Sequence, residues 1–206
     1  MTYIWLEFIS ILEDYLIVQN LAFTSTVVYS TLAILYLFMY ALLHFTPAIT
    51  NALISIVEKL FFIKYLPVLI FAIVLNLLFP GKIWSEFVLA FLYSLILVLI
   101  QINKTKSQIN PGYSKFANDL SINFDAVKEK LFYSNLSRKI KNIHYEVWLL
   151  VLIYEFINGQ DGLGAVLKQG YVFNDIYAVL VVSFIISLLI WIIDYSFSFL
   201  NKYFRR

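Results

Sequence analysis

The sequence contains no cysteine, and charged residues make up only 14% of its 206 positions. Without cysteine the chain can form no disulfide, no thiolate metal site and no cysteine nucleophile. A soluble domain carries about 25% charged residues, whereas this chain is 62% hydrophobic, with a mean hydropathy of +0.83. A soluble core of this size cannot hide that much apolar surface, so we expect the chain to lie in a lipid bilayer.

Several signatures of chemistry are also missing. No Gly-x4-Gly-Lys-Ser/Thr loop exists for binding ATP, and no Ser/His/Asp arrangement or metal-ligand cluster stands out. Two facing histidines, His44 and His144, could ligate haem, but both fall at predicted span ends and no other cofactor signal accompanies them. We therefore expect a chain that is not an enzyme, with no metal, no cofactor and no nucleic-acid partner. The first 22 residues carry acids and no Lys or Arg, the opposite of a secretory signal peptide.

Apolar segments of membrane-spanning length recur along the chain. A bilayer core about 30 Å thick needs about 20 apolar residues of helix. We predict five spans, at about 23–43, 61–79, 83–102, 143–157 and 176–199. Residues 1–22 predict an amphipathic helix on the membrane surface, because Trp5, Phe8 and Leu12 share one side and the acids lie mostly away from it. The predicted fold is an all-α, polytopic transmembrane helical bundle.

The positions of lysine and arginine predict its orientation. If the N-terminus is outside, then 44–60, 103–142 and the tail after Leu200 are inside. Together with Lys64 at the inner end of the second span, these segments hold 13 of the 15 basic residues. The positive-inside rule thus favours an outside N-terminus and an inside C-terminus in the cell membrane. Trp5, Trp84 and Trp148 near span ends fit the aromatic belts of the two interfaces.

The long polar stretch 103–142 predicts a cytoplasmic helical hairpin. Asn110-Pro111-Gly112 is a turn signal, and short helices can follow at 113–120 and 123–132. Their apolar stripe consists of Phe116, Ala117, Leu120, Phe124, Val127 and Leu131. The hairpin is either a solvated loop packed on its own membrane domain or a docking surface for a soluble partner.

The order of features in the C-terminal third resembles a transporter family. Glu155 comes late in a span, Gly162-Leu163-Gly164 follows seven residues later, and a final span carries Asp194 before a basic tail. This order resembles the membrane subunit of ABC importers of the nitrate/sulfonate/taurine type, with the type I importer fold. The stretch from Tyr65 to Ile100 is similar to that family's helix with an early proline, its glycine-containing outer turn and the next span.

The resemblance implies a permease domain over 23–206 with a coupling hairpin at 103–142. It also implies cytoplasmic ABC ATPase subunits, a second permease subunit and an extracytoplasmic solute-binding protein as partners. The implied coupling contacts are Phe116, Ala117, Leu120, Ser121, Phe124 and Val127. Of the family's Glu-Ala-Ala motif only Ala117 is retained, and Ser121 replaces its glycine. This degenerate motif leaves an alternative open, a non-transporting structural or regulatory subunit of a larger membrane complex.

The predicted outer turn contains the candidate translocation residues Glu155, Gly162, Leu163 and Gly164. Its glycines permit positive φ angles and close packing. Two interpretations of Glu155 stay open. It either caps the turn or pairs with Lys168, or it shapes the outer gate and the translocation path. Asp194 has the same two kinds of interpretation, as a buried or snorkelling acid or as a functional intramembrane group.

Overall fold

A computed structural model describes residues 2–45, 47–59, 68–80, 83–108 and 142–203. Within these ranges the regular elements are α-helices, and no strand is present, which confirms the all-helical fold class. The helices are α1 (Thr2–Asp14), α2 (Ile17–Phe45), α3 (Pro47–Lys59), α4 (Val68–Leu78), α5 (Ile83–Gln108), α6 (142–158), α7 (Leu163–Val172) and α8 (Ile176–Tyr203). The predicted hairpin helices and all six coupling residues lie outside the described residues.

Three described helices are long and apolar enough to cross a membrane. They cover Ile17–Leu42, Trp84–Thr105 and Ile176–Ser196, which correspond to the first, third and fifth predicted spans. Over their described lengths α4 and α6 are shorter than the roughly 20 residues of a full span. The second and fourth spans, and the orientation, therefore remain predictions.

The helix α8 exposes a continuous apolar stripe. Only 17% of its most apolar window is buried. The exposed side chains recur every three or four residues, which places them on one helical face; they are Tyr177, Leu180, Phe184, Leu188, Trp191 and Tyr195. Such a surface is stable against lipid tails and unfavourable against water, which supports a membrane-embedded protein.

The N-terminal segment forms two helices, where the sequence predicted one surface helix up to residue 22. The chain turns at Tyr15 and Leu16, and Leu16 adopts a φ of 47°. The amide of Asn20 donates to the carbonyl oxygen of Tyr15 at 3.0 Å, which stabilises the turn. Residues 17–22 consequently belong to α2, and the buried Ile17 begins it.

A further helix, α3, occupies most of a segment that we had predicted only as an inner loop. Pro47 is its first residue, a position where the missing N–H and fixed φ of proline cost nothing. Ile54 is buried, whereas Ile49 and Ile56 are each 52% exposed. The segment is too short and too polar for a span, which is why span counting did not find it.

The packing divides the chain into two compact units. The first comprises Met1–Thr31, Pro67–Ala90 and Val147–Arg206, and the second Leu32–Leu66 and Phe91–Glu146. In the second unit, Phe38 of α2 and Phe91 of α5 pack edge to face, with ring centroids 5.8 Å apart.

The core of the first unit corrects one sequence-based interpretation. Trp148 is 1% exposed and packs edge-on against Tyr29, with ring centroids 6.2 Å apart. It is therefore a core residue and not part of an aromatic belt. Trp84, by contrast, is 78% exposed, as a belt residue would be.

Candidate functional site

The candidate site is the connection between α6 and α7, which lies in the first unit. Glu155, on the last turn of α6, is 1% exposed. The intervening turn contains Gly159 and Gly162, whose φ angles are 69° and 92°. These angles are accessible to glycine and strained for other residues, so the two glycines allow the chain to reverse and start α7 at Leu163.

Glu155 caps the helix that follows it. Its Oε2 accepts a hydrogen bond from the backbone N–H of Gly164 at 2.9 Å, and its Oε1 accepts one from the Thr24 hydroxyl at 2.7 Å. The first N–H groups of a helix have no partner inside the helix, and a carboxylate there also interacts favourably with the helix dipole. The capping interpretation of Glu155 is thus confirmed.

The proposed pairing of Glu155 with Lys168 is wrong. The Lys168 ammonium donates instead to the carbonyl oxygen of Ile157 at 3.0 Å, and its side chain lies against Gly159. That carbonyl belongs to the last turn of α6, where carbonyl groups lack helical partners and a cation is favourable. Each end of the α6–α7 connection therefore has its own charged cap.

The two glycines of the Gly-Leu-Gly sequence are required by the close approach of α6. A Cβ atom on Gly162 would overlap the carboxyl group of Glu155. A Cβ atom on Gly164 would collide with the carbonyl oxygen of Leu152 and lie 2.7 Å from the backbone nitrogen of Phe156. The spacing noticed in the sequence therefore has a physical cause, because α6 and α7 approach too closely for any side chain.

The N-terminal turn of α7 is also held by α2. The N–H of Gly162 donates to Oδ1 of Asn20 at 2.8 Å, and the N–H of Leu163 donates to Oγ1 of Thr24 at 2.9 Å. Together with the bond from Gly164 to Glu155, three consecutive backbone donors are received by three side chains. The start of α7 is thus hydrogen-bonded to both α2 and α6.

A second buried acid, which sequence reasoning missed, belongs to this cluster. Glu86, in the first turn of α5, is 3% exposed, and its carboxyl is hydrogen-bonded to that of Glu155. Beside them the hydroxyls of Ser85 and Tyr154 are hydrogen-bonded to each other. The available signal was an ionisable residue inside a predicted span, which by default indicates a functional site.

A polar cavity of about 350 Å³ opens next to the turn. Its lining consists of Asp14, Tyr15, Leu16, Gln19, Asn20, Phe23, Gln160, Asp161 and Gln169. The Tyr15 hydroxyl donates to a carboxylate oxygen of Asp175 at 2.9 Å, which ties the α1–α2 turn to the start of α8. Burial, and then this hydrogen bond and the charge of Asp175, raise the pKa of Tyr15 above its usual value.

The other candidate residues from the sequence lie outside the α6–α7 connection. Asp194 is half-buried in α8, and His144 is a buried residue of the second unit. Within the described ranges no three His, Cys, Asp or Glu side chains are arranged to hold a metal ion. The translocation role of Glu155 and of the glycines stays a prediction.

No protein family, no curated protein and no solved structure matches this chain.

Proposed function

We propose that the chain is the membrane-spanning permease subunit of an ABC importer, with ATP hydrolysis in separate cytoplasmic subunits. One observation carries the proposal. Glu155 is hydrogen-bonded to Gly164 and to Thr24 in the core of the α6–α7 connection, and Glu155 and Gly164 belong to the pattern that resembles this family.

The contact supports the proposal because it links residues that the sequence pattern shows only at a fixed spacing. An acid and a Gly-Leu-Gly sequence seven residues later can occur in any apolar chain without touching. Here neither glycine has room for a Cβ atom, because Gly162 lies against the Glu155 carboxyl and Gly164 against the backbone of α6. A pattern whose residues contact one another in the fold is a more specific sign of a family than the same residues at that spacing alone.

The proposed mechanism is a rocking motion of the membrane helices. Two permease subunits would enclose a pathway, and an ATPase would dock on each hairpin at 103–142. ATP binding would draw the hairpins together and shift the spans between outward- and inward-open arrangements. The α6–α7 connection suits this role, because its hydrogen bonds to α2 and α6 would let the outer turn move together with these helices. A solute-binding protein would deliver the solute at the outer face.

The experiment that tests the proposal is quantitative co-purification of an ABC ATPase from membranes of the source organism. Replacing Phe124 with Asp puts a charge on the apolar stripe of the predicted hairpin, and we expect at least a tenfold loss of co-purified, vanadate-sensitive ATP hydrolysis. Gln169→Asp makes a similar charge change at an exposed position of α7, on the opposite predicted side, and should leave the yield unchanged. Equal ATPase recovery with both variants would refute the docking assignment.

The alternative is a structural or regulatory membrane subunit that does not transport. The retention of only Ala117 from the family's coupling motif favours it. A wild-type chain that purifies with other membrane proteins, but never with an ATPase, would decide for this alternative.

A further inference from the structure

The first unit contains two carboxyl groups that are both removed from solvent and in contact. Glu86 on α5 is 3% exposed and Glu155 on α6 is 1% exposed. Their carboxyl groups are hydrogen-bonded to each other. An ionised carboxylate can only accept hydrogen bonds, so one of the two groups must carry a proton.

The neighbouring donors indicate which group is protonated. Both oxygens of Glu155 already accept a bond, from Thr24 and from Gly164. In contrast, no N–H or O–H group of the described residues donates to Oε1 of Glu86, although that atom is buried. Glu155 thus has the surroundings of a carboxylate, and Glu86 those of a carboxylic acid that donates to it.

The charged groups around the pair do not permit both acids to ionise. Asp161 in the turn is a third acid whose charge acts on both Glu86 and Glu155. The neighbouring Tyr154 is bonded to Ser85 and carries no positive charge. Lys168 of α7 donates to the carbonyl of Ile157, and within the described ranges no basic side chain forms an ion pair with either acid. Two negative charges in contact in a medium of low dielectric constant repel strongly.

The geometry points to a proton-binding site formed by Glu86 and Glu155, which retains one proton at neutral pH and joins α5 to the α6–α7 connection. Removal of the proton would place two carboxylates in contact and push α5 away from α6. This site does not depend on the proposed transport function, because it needs only the contacts within the folded chain.

The site predicts a specific dependence of stability on pH. An ordinary glutamate side chain has a pKa of about 4.3. Above about pH 5 the folded chain would therefore hold one more proton than the unfolded chain, so stability must fall as pH rises. The expected effect is about a tenfold increase of the unfolding equilibrium constant per pH unit, because one proton is released on unfolding.

The test is equilibrium unfolding of the purified full chain in mixed detergent micelles between about pH 5 and about pH 7, a window that lies above the ordinary release of a glutamate proton. Glu86→Gln supplies an N–H donor to Glu155 without a titrating group, so it should remove this slope. Glu146→Gln, at an exposed position of the same helix as Glu155, should keep the wild-type slope. Taking the difference between wild type and each variant cancels the contributions of the other titrating groups. Identical slopes for wild type and Glu86→Gln would overturn the inference.

An infrared measurement keeps the inference testable if a variant folds poorly. At neutral pH the wild-type chain should show the C=O absorption of a protonated carboxyl group, and Glu86→Gln should lose it while Glu146→Gln keeps it. Absence of this band in the wild type would overturn the inference. So would a stability that depends on Na⁺ at constant ionic strength, because the pair would then hold a cation.

Discussion

The close approach of Gly162 to Glu155 makes a strong quantitative prediction. Replacing Gly162 with Ala has two separate costs. The first is backbone strain, because the φ of 92° and ψ of 171° are essentially restricted to glycine, at about 1–3 kcal/mol. The second arises because the new methyl group would occupy the space of the Glu155 carboxyl. That carboxyl must then move and lose at least one of its hydrogen bonds to Thr24 and Gly164, at about 1.5–3 kcal/mol for a charged group.

A double-mutant cycle separates these two costs. In the Glu155→Ala background the carboxyl is gone, so Gly162→Ala should cost only the strain. In the wild-type background it should cost strain and lost hydrogen bonding together, about 2.5–6 kcal/mol in all. The two substitutions should therefore be less destabilising together than the sum of their separate effects, by about 2 kcal/mol, which is well outside the additivity limit of about 0.5 kcal/mol.

The assay is reversible unfolding in mixed micelles, followed by circular dichroism and by the fluorescence of tryptophan, of which Trp148 is buried in the first unit. Gly170→Ala provides the matched control. A Cβ atom there would lie 2.9 Å from Cγ2 of Val179, and no Glu155 atom is among its nearest contacts, so its effect should add to that of Glu155→Ala. Additive effects of Gly162→Ala and Glu155→Ala would refute the geometry of the turn.

Two further predictions test the packing of α2 and the path of the chain through the membrane. Thr24→Val should destabilise the chain by about 1–3 kcal/mol, because it removes the donor to Glu155 and the acceptor for the N–H of Leu163. Thr26→Val, at an exposed position of the same helix whose hydroxyl bonds only the carbonyl of Ala22, should cost less than about 0.5 kcal/mol; equal losses for both would contradict the buried network. Because the chain contains no cysteine, Asn123→Cys and Asp161→Cys can each be labelled without background, and five spans predict that a membrane-impermeant maleimide applied from outside reaches only the second. Labelling of both from one side would exclude this topology.

Hydropathy predicted the long helices well because lipid imposes a simple requirement. A segment that crosses the bilayer must be apolar over about 20 residues and must satisfy its backbone internally as a helix. The candidate spans Ile17–Leu42, Trp84–Thr105 and Ile176–Ser196 meet this requirement. Elements that do not cross are under no such constraint. The break at Leu16 and the helix α3 were missed for that reason, since turn geometry and partial burial decide them.

The candidate site was only half predictable. The pattern of Glu155 and Gly-Leu-Gly lies within ten residues of sequence, so its local turn could be anticipated. The partners Thr24 and Asn20 are more than 130 positions away, and Glu86 is 69 positions away from Glu155. Such contacts depend on how helices pack, which a hydropathy pattern does not specify. Burial of Trp148 was missed for the same reason, because a tryptophan near a span end fits an interface and a core equally well.

The occupied N–H groups at the start of α7 bear on the proposed transport function, because they restrict where a solute could bind. A free helix N-terminus attracts anions, because its N–H groups lack partners and the helix dipole is positive there. In this chain the N–H groups of Gly162, Leu163 and Gly164 are all occupied by side chains of the same chain. The carboxyl of Glu155 holds the position that a solute oxyanion would take. If the proposed permease transports an anion, that anion cannot bind these three N–H groups while their hydrogen bonds to Asn20, Thr24 and Glu155 are intact.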